Sequence, residues 1–230
     1  MIYMQTLSLY FLGWTTMAEW NSNELKLLLK NLLEKDDLTL LHSYRVTKMA
    51  VSFAEYLQLN DLEMKTIELG GLLHDIGKIN ITENILTKKG KLDPKEYTEI
   101  KRHPLYGVDL LNPFSSLNQK IKDMVLFHHE RWDGLGYPYG LKNEEIPLLA
   151  RVLTLVDSLE AMTGKRPYRS SMSWQEAYEE VERGKGTQFD PKATELCLKW
   201  MENFNHVNEV SPEMKINKYN KPVNIDRIHG

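Results

Sequence analysis

The sequence predicts an all-α fold, a bundle of helices. Three observations carry that reading. Apolar residues recur at three- and four-residue spacing along most of the 230 residues. Helix-start residues and glycine stops punctuate those runs. No stretch alternates apolar and polar residues long enough to propose a strand.

The elements follow in order. The leucine-rich stretch 23–35 is helical, with Asn21, Ser22 or Asn23 as its N-cap. It is a candidate either to cap the core or to form a dimer surface. Residues 40–59 form a second helix, with His42, Val46, Met49, Phe53 and Leu57 on one stripe. Residues 62–77 form a third, ending near Gly77. Asp93-Pro94 starts a fourth, Asp as the cap and Pro in the first turn. It stops near His103, because a residue before proline disfavours the helical conformation, and Pro104 opens a short helix. Residues 118–130 and 148–163 are helical, separated by a loop at 131–147 rich in Gly, Pro and Tyr. Ser173 caps a helix that stops at Gly184, and Asp190-Pro191 opens a last one to about Phe204. This divides the chain into a short extension (1–20), one domain (21–204) and a polar tail (205–230).

Composition bounds the function. Hydrophobic residues at 42% and charged residues at 27% are those of a soluble globular chain, long enough for a substantial core. The net charge of −3 argues against broad nucleic-acid binding, so no DNA partner is expected. Cys197 is the single cysteine, which suits a reducing compartment and reads as a buried apolar residue. No Lys or Arg precedes Lys26, so the start lacks a signal peptide's positive region. No run reaches the ~18 apolar residues of a membrane span. A cytoplasmic location without membrane attachment is the expectation.

The histidines point to chemistry. A lone histidine on an apolar face is ordinarily a core residue with a satisfied hydrogen bond, and His42 alone fits that. His74-Asp75 and the doublet His128-His129 do not. With His103 and Asp157, five histidines and two aspartates face inward from five helical segments. Such groups are costly to bury unless paired or bound to metal. Imidazole and carboxylate without thiolate suit Fe, Mn or Zn. Seven ligands exceed what one ion takes and fit two ions about 3.5–4 Å apart, bridged by a carboxylate. Neighbouring helical residues diverge by ~100°, so each member of a pair can reach a different ion. His206 and His229 read as ordinary surface residues.

The motifs HDIGK (74–78), HPLYG (103–107), HHERWDGLGYPYGL (128–141), EIPLLARVL (145–153), RPYR (166–169) and GKGTQFDP (184–191) together resemble the HD-GYP family, a branch of the HD metal-dependent phosphohydrolases. The resemblance implies an HD-domain helical bundle with a metal site in its core, and hydrolysis of cyclic di-GMP to linear pGpG and on to GMP by metal-activated hydroxide. It places the ligands at His42, His74, Asp75, His103, His128, His129 and Asp157. Some members carry a Glu four residues before the first His and hold a third metal. Leu38 stands there in this chain, which favours two ions, Fe or Mn before Zn. Glu160 replaces a frequent Asp and is expected to orient a ligand, paired with Lys78.

Asp75 is expected to bridge the ions, and Lys78 to contact the phosphate or the leaving oxygen. Arg166 and Arg169 are placed near the substrate phosphates, where the guanidinium fork suits phosphate. Tyr137 is a candidate to stack a guanine. The family's GYP loop also implies contact with a diguanylate cyclase domain. Two alternatives stand beside this reading. One is a phosphohydrolase for another cyclic dinucleotide or nucleotide. The other is a non-catalytic scaffold that kept the fold.

Overall fold

The computed structural model describes residues 23–164 and 171–208, with side chains described as far as residue 204. Ten α-helices and two 3-10 turns make up the described chain. They are α1 (Asn23–Lys35), α2 (Asp37–Tyr56), α3 (Asp61–Leu73), a 3-10 turn Ile76–Asn80, α4 (Glu83–Leu86), α5 (Pro94–Ile100), α6 (His103–Leu111), α7 (Gln119–Phe127), a 3-10 turn Asn143–Glu145, α8 (Leu148–Thr163), α9 (Trp174–Arg183) and α10 (Pro191–Asn208). The described residues hold no strand, and one isolated bridge joins Lys185 to Phe189. No helix among them is long and apolar enough to cross a membrane.

Local chemistry sets most boundaries. Asn60, Asp93 and Ser173 each close a capping box with the Glu three residues on, which satisfies first-turn amides of α3, α5 and α9. Asp36 alone separates α1 from α2 and accepts from the Thr39 amide at 3.1 Å. Asp190 caps α10 through Lys192 and Ala193. Asn23 is already helical, so an earlier cap lies outside the described residues, as do the extension 1–20 and the tail beyond Asn208. The last helix runs four residues past Phe204. α4 was not legible, since four residues carry no periodicity.

Two apolar cores hold the helices together. One gathers α2, α8, α9 and α10 around Phe53, Val156, Leu159 and Trp200. The other packs α1, α3, α6 and α7 around Leu29, Leu72, Ile76 and Val125. Leu25, Leu29 and Leu32 are buried there, so α1 caps the core through its leucines. Cys197 lies in the first core, where burial pushes its thiol up to about 12. At pH 8 almost no thiolate forms, so Ellman's reagent is expected to find no thiol in the native protein and one per chain in guanidinium. Fast labelling of native protein would contradict this burial.

α3 stops at Leu73 rather than continuing to Gly77, and the reason is contact with α6. A Cβ at Gly77 would lie 1.9 Å from the His103 carbonyl oxygen and 2.4 Å from the Gly107 nitrogen. The chain therefore turns at His74-Asp75 and lays Gly77 against the first turns of α6. Both obstacles are backbone and cannot rotate away. Gly77→Ala is expected to lower stability by about 1–3 kcal/mol in thermal unfolding. An unchanged transition would refute the close approach.

Candidate metal centre

All seven predicted ligands converge. Asp75, His103, His128 and His129 form one group, and His42, His74 and Asp157 form another. Within each, the potential ligand atoms lie within 4.8 Å of one another. Asp75 stands between them. Its Oδ2 lies 3.4 Å from His74 Nε2 and 3.9 Å from His42 Nε2. Its Oδ1 lies 3.2 Å from His103 Nε2 and 3.9 Å from His128 Nε2. One carboxylate thus faces both groups, as a bridging ligand does.

The outer edges of the rings explain their orientation. His74 Nδ1 donates to the Gly71 carbonyl at 2.7 Å, His103 Nδ1 to Ile100 at 2.8 Å, and His128 Nδ1 to Val125 at 2.9 Å. Each carbonyl is three residues earlier, where a helix end or turn leaves it open. A carbonyl can only accept, so each Nδ1 carries the proton and each Nε2 presents a lone pair inward. His42 Nδ1 donates instead to the Glu160 carboxylate, which Arg45 Nε also contacts. Thr154 Oγ1 fixes the His128 carbonyl at 2.8 Å.

These inward atoms suit a cation. His74 Nε2 and Asp75 Oδ1 are buried without a hydrogen-bond partner. His103 Nε2 lies near that Oδ1, yet with Nδ1 protonated it has no proton to give. His103 Nε2 and His128 Nε2 face each other at 3.2 Å, and with both Nδ1 atoms protonated both are acceptors. Orphaned acceptors of this kind are rare in native interiors, and divalent cations would satisfy all of them. Electrostatics agree. Burial alone would raise Asp75, but the Lys78 ammonium, 2.7 Å from its Oδ2, holds it well below the usual carboxylate range. Burial likewise opposes ionisation of Asp157, yet its hydrogen bond to His42 holds it low too. Burial lowers His129 to about 3, which keeps it neutral and able to ligate. His42 is the exception. Burial would lower it, but hydrogen bonds to Asp157 and Glu160 raise it to about 9.

His129 and Asp157 are the ligands that remain partly open, and both line a cleft of about 360 Å³. Tyr97, Lys101, Arg131, Leu135, Tyr137, Ser158 and Gln188 form much of the rest of its wall.

The comparisons with known proteins give the family. The sequence profile described as an HD domain matches residues 26–193. A Thermotoga maritima protein named cyclic di-GMP phosphodiesterase is 38% identical over 159 residues, 69% of this chain and 43% of that protein. A Xanthomonas campestris cyclic di-GMP phosphodiesterase response regulator, RpfG, is 37% identical over 67% of this chain and 41% of its own length. This chain belongs to the HD-domain family, in its HD-GYP branch. A Vibrio cholerae protein named 3′3′-cGAMP-specific phosphodiesterase 2 aligns at 34% identity with 92% of the HD-GYP chain, but 41% of its own length. The chain spans about two fifths of the curated relatives it matches first. Among solved structures, the HD domain of L. monocytogenes phosphodiesterase PgpH, in complex with cyclic-di-AMP, superposes with TM-score 0.58 at 18% identity, covering 84% of this chain and 99% of that one. At that identity the likeness is one of fold.

Three HD-GYP expectations change in detail. His74 caps α3 and Asp75 opens the following turn, while His128 caps α7 and His129 lies beyond it. His74 and Asp75 therefore enter different groups as expected, but His128 and His129 enter the same one, their ring centroids 4.1 Å apart, because the chain leaves the helix between them and no helical step separates the two rings. Glu160 pairs with His42 and Arg45, whereas Lys78 Nζ lies 2.7 Å from Asp75 Oδ2. Asp75 precedes the 3-10 turn three residues before Lys78, so their side chains meet. Tyr137 lines the cleft, but its ring is stacked on His129 with centroids 4.7 Å apart. Arg166, Arg169, His206 and His229 fall where side chains are not described.

The HD-GYP signature itself is a clamp on the ligand doublet. A Cβ at Gly136 would meet the Arg131 nitrogen at 2.4 Å and the His129 oxygen at 2.6 Å, so the loop can press onto the doublet's backbone. Tyr137 N–H donates to the His129 carbonyl at 3.1 Å, ahead of a cis Tyr137-Pro138 bond. Glu130 is buried and takes the amides of Tyr139, Gly140 and Leu141 at 2.7, 3.1 and 3.1 Å. Sequence reading missed Glu130, Arg45 and Thr154. Arg45 had a signal, three residues from His42 on the same helix face.

Proposed function

We propose that this HD-GYP chain hydrolyses a cyclic dinucleotide, cyclic di-GMP foremost, to linear pGpG, with GMP the product of a second cut. The observation that carries this is Asp75, buried with one oxygen toward each ligand group. Two divalent cations held by these residues, Fe or Mn by donor type with Zn the alternative, would neutralise the phosphodiester and make a water acidic enough to serve as nucleophile at neutral pH. The chain's own groups do the rest. Glu160, held by Arg45, aims His42. Lys78 keeps Asp75 ionised and offers charge to the leaving 3′ oxygen. His129 and Asp157 present the centre to the cleft, and the clamped GYP loop forms one wall.

Metal analysis and a hydrolysis assay on one anaerobic sample test this reading. Two ions per chain and turnover of cyclic di-GMP with Fe(II) or Mn(II) are the expected result. A folded, metal-loaded chain inert to every cyclic dinucleotide would sink it and favour the scaffold alternative. A second reading, 3′3′-cGAMP as substrate, draws on the relative aligned over 92% of the chain. Relative kcat/KM in a substrate panel ranks the two. A diguanylate cyclase domain docked on exposed Leu135 and Tyr139, and a homodimer, complete the proposal. Co-elution and light scattering test them.

A further inference from the structure

We propose that Lys101 binds the second phosphate of the cyclic dinucleotide, the one not being cut. This rests on the substrate class proposed above and names the residue that recognises its other charge. A cyclic dinucleotide carries two phosphodiester anions in one ring. With one at the metal groups, the other lies along the cleft and needs a cation there.

The charged groups of the described cleft wall are nearly all committed. Arg131 is held in a fork by Asp133, at 3.1 and 2.6 Å. Glu130 is satisfied by three backbone amides. Asp157 belongs to the metal groups. Lys101 alone has no carboxylate partner among the described residues. Its ammonium sits over two aromatic rings instead, 4.7 Å from the Tyr97 centroid and 5.3 Å from that of Tyr137.

That setting is suited to an anion. Ring faces attract an ammonium through their quadrupole but do not neutralise it, so its field still reaches into the cleft. Tyr137 is itself stacked on His129, so the ammonium stands two ring contacts from the metal groups. The backbone is anchored here by a hydrogen bond. Ile100, beside Lys101, gives its carbonyl to His103 Nδ1. A compact ammonium on a half-buried stem suits one phosphate as a point charge.

The test compares Lys101→Gln and Lys101→Arg with the wild type in the Mn(II)-loaded chain. Lys101→Gln is expected to raise KM for cyclic di-GMP about tenfold or more with kcat within about twofold, and Lys101→Arg to restore most of it. Hydrolysis of bis(4-nitrophenyl) phosphate, which has a single phosphate, should not change. Calorimetric binding of the bis-phosphorothioate analogue of cyclic di-GMP should weaken in parallel. Equal loss on both substrates, or unchanged KM and binding, overturns the assignment while leaving the phosphodiesterase reading intact. Binding that depends on Lys101 in a wild type without turnover supports the assignment and removes the hydrolytic reading. A wild type that neither binds nor cuts removes both.

Discussion

Asp75→Asn is expected to strip metal from both ligand groups and lower cyclic dinucleotide turnover by roughly a thousandfold or more, while the helices persist. Asp75 is the only ligand facing both groups, with Oδ2 toward His74 and His42 and Oδ1 toward His103 and His128. Asparagine is neutral and replaces one oxygen by an amide. The group of His103, His128 and His129 then loses its one carboxylate, and the group of His42, His74 and Asp157 keeps Asp157 but loses the shared anionic bridge. The fold should tolerate this. The new amide can donate to an Nε2 lone pair that has no partner in the metal-free protein. Lys78, whose side chain is 22% exposed, turns to water. Plasma emission spectrometry should fall from two ions per chain toward none, with far-UV circular dichroism unchanged. Two ions retained in a folded variant would remove Asp75 from the centre of the site.

The legibility of the site was uneven, and residue chemistry explains why. The convergence of the seven candidate ligands was readable because buried imidazole and carboxylate have few other uses. The helices were readable where apolar spacing and caps agreed, as at Asp93-Pro94 and Ser173. The break after Leu73 was not. It depends on Gly77 meeting Gly107 and His103, thirty and twenty-six residues away in sequence, and no local pattern encodes that approach. Glu160 was expected beside Lys78, and its carboxylate meets His42 and Arg45 instead. Helix spacing fixes which face it occupies, not which of two inward lysines or arginines reaches it. Glu130 was hidden for a third reason. Its partners are backbone amides, and backbone leaves no mark on a sequence.

Glu130→Gln is expected to weaken metal binding in the His103, His128, His129 group about 10- to 100-fold while leaving the His42, His74, Asp157 group near its wild-type affinity. The selectivity follows from how His129 is held. His74, His103 and His128 each have a carbonyl on Nδ1, and His42 has Glu160. His129 has no such anchor among the described residues and is steadied by the stacked ring of Tyr137. Tyr137 in turn belongs to a loop whose far side is tied down by Glu130. Glutamine keeps the length of that side chain but turns an NH₂ toward N–H donors, at a cost of about 1–3 kcal/mol. The loop relaxes, the ring shifts and His129 loses its wall. Metal titration by calorimetry should show one of two binding steps weakened, and thermal unfolding a drop of several degrees at this chain length. If both steps weaken equally, the loop acts on the whole centre. If neither does, the clamp on His129 is not what the loop provides. The same variant separates the two readings of the signature, because a loop serving only partner docking would leave the metal titration untouched.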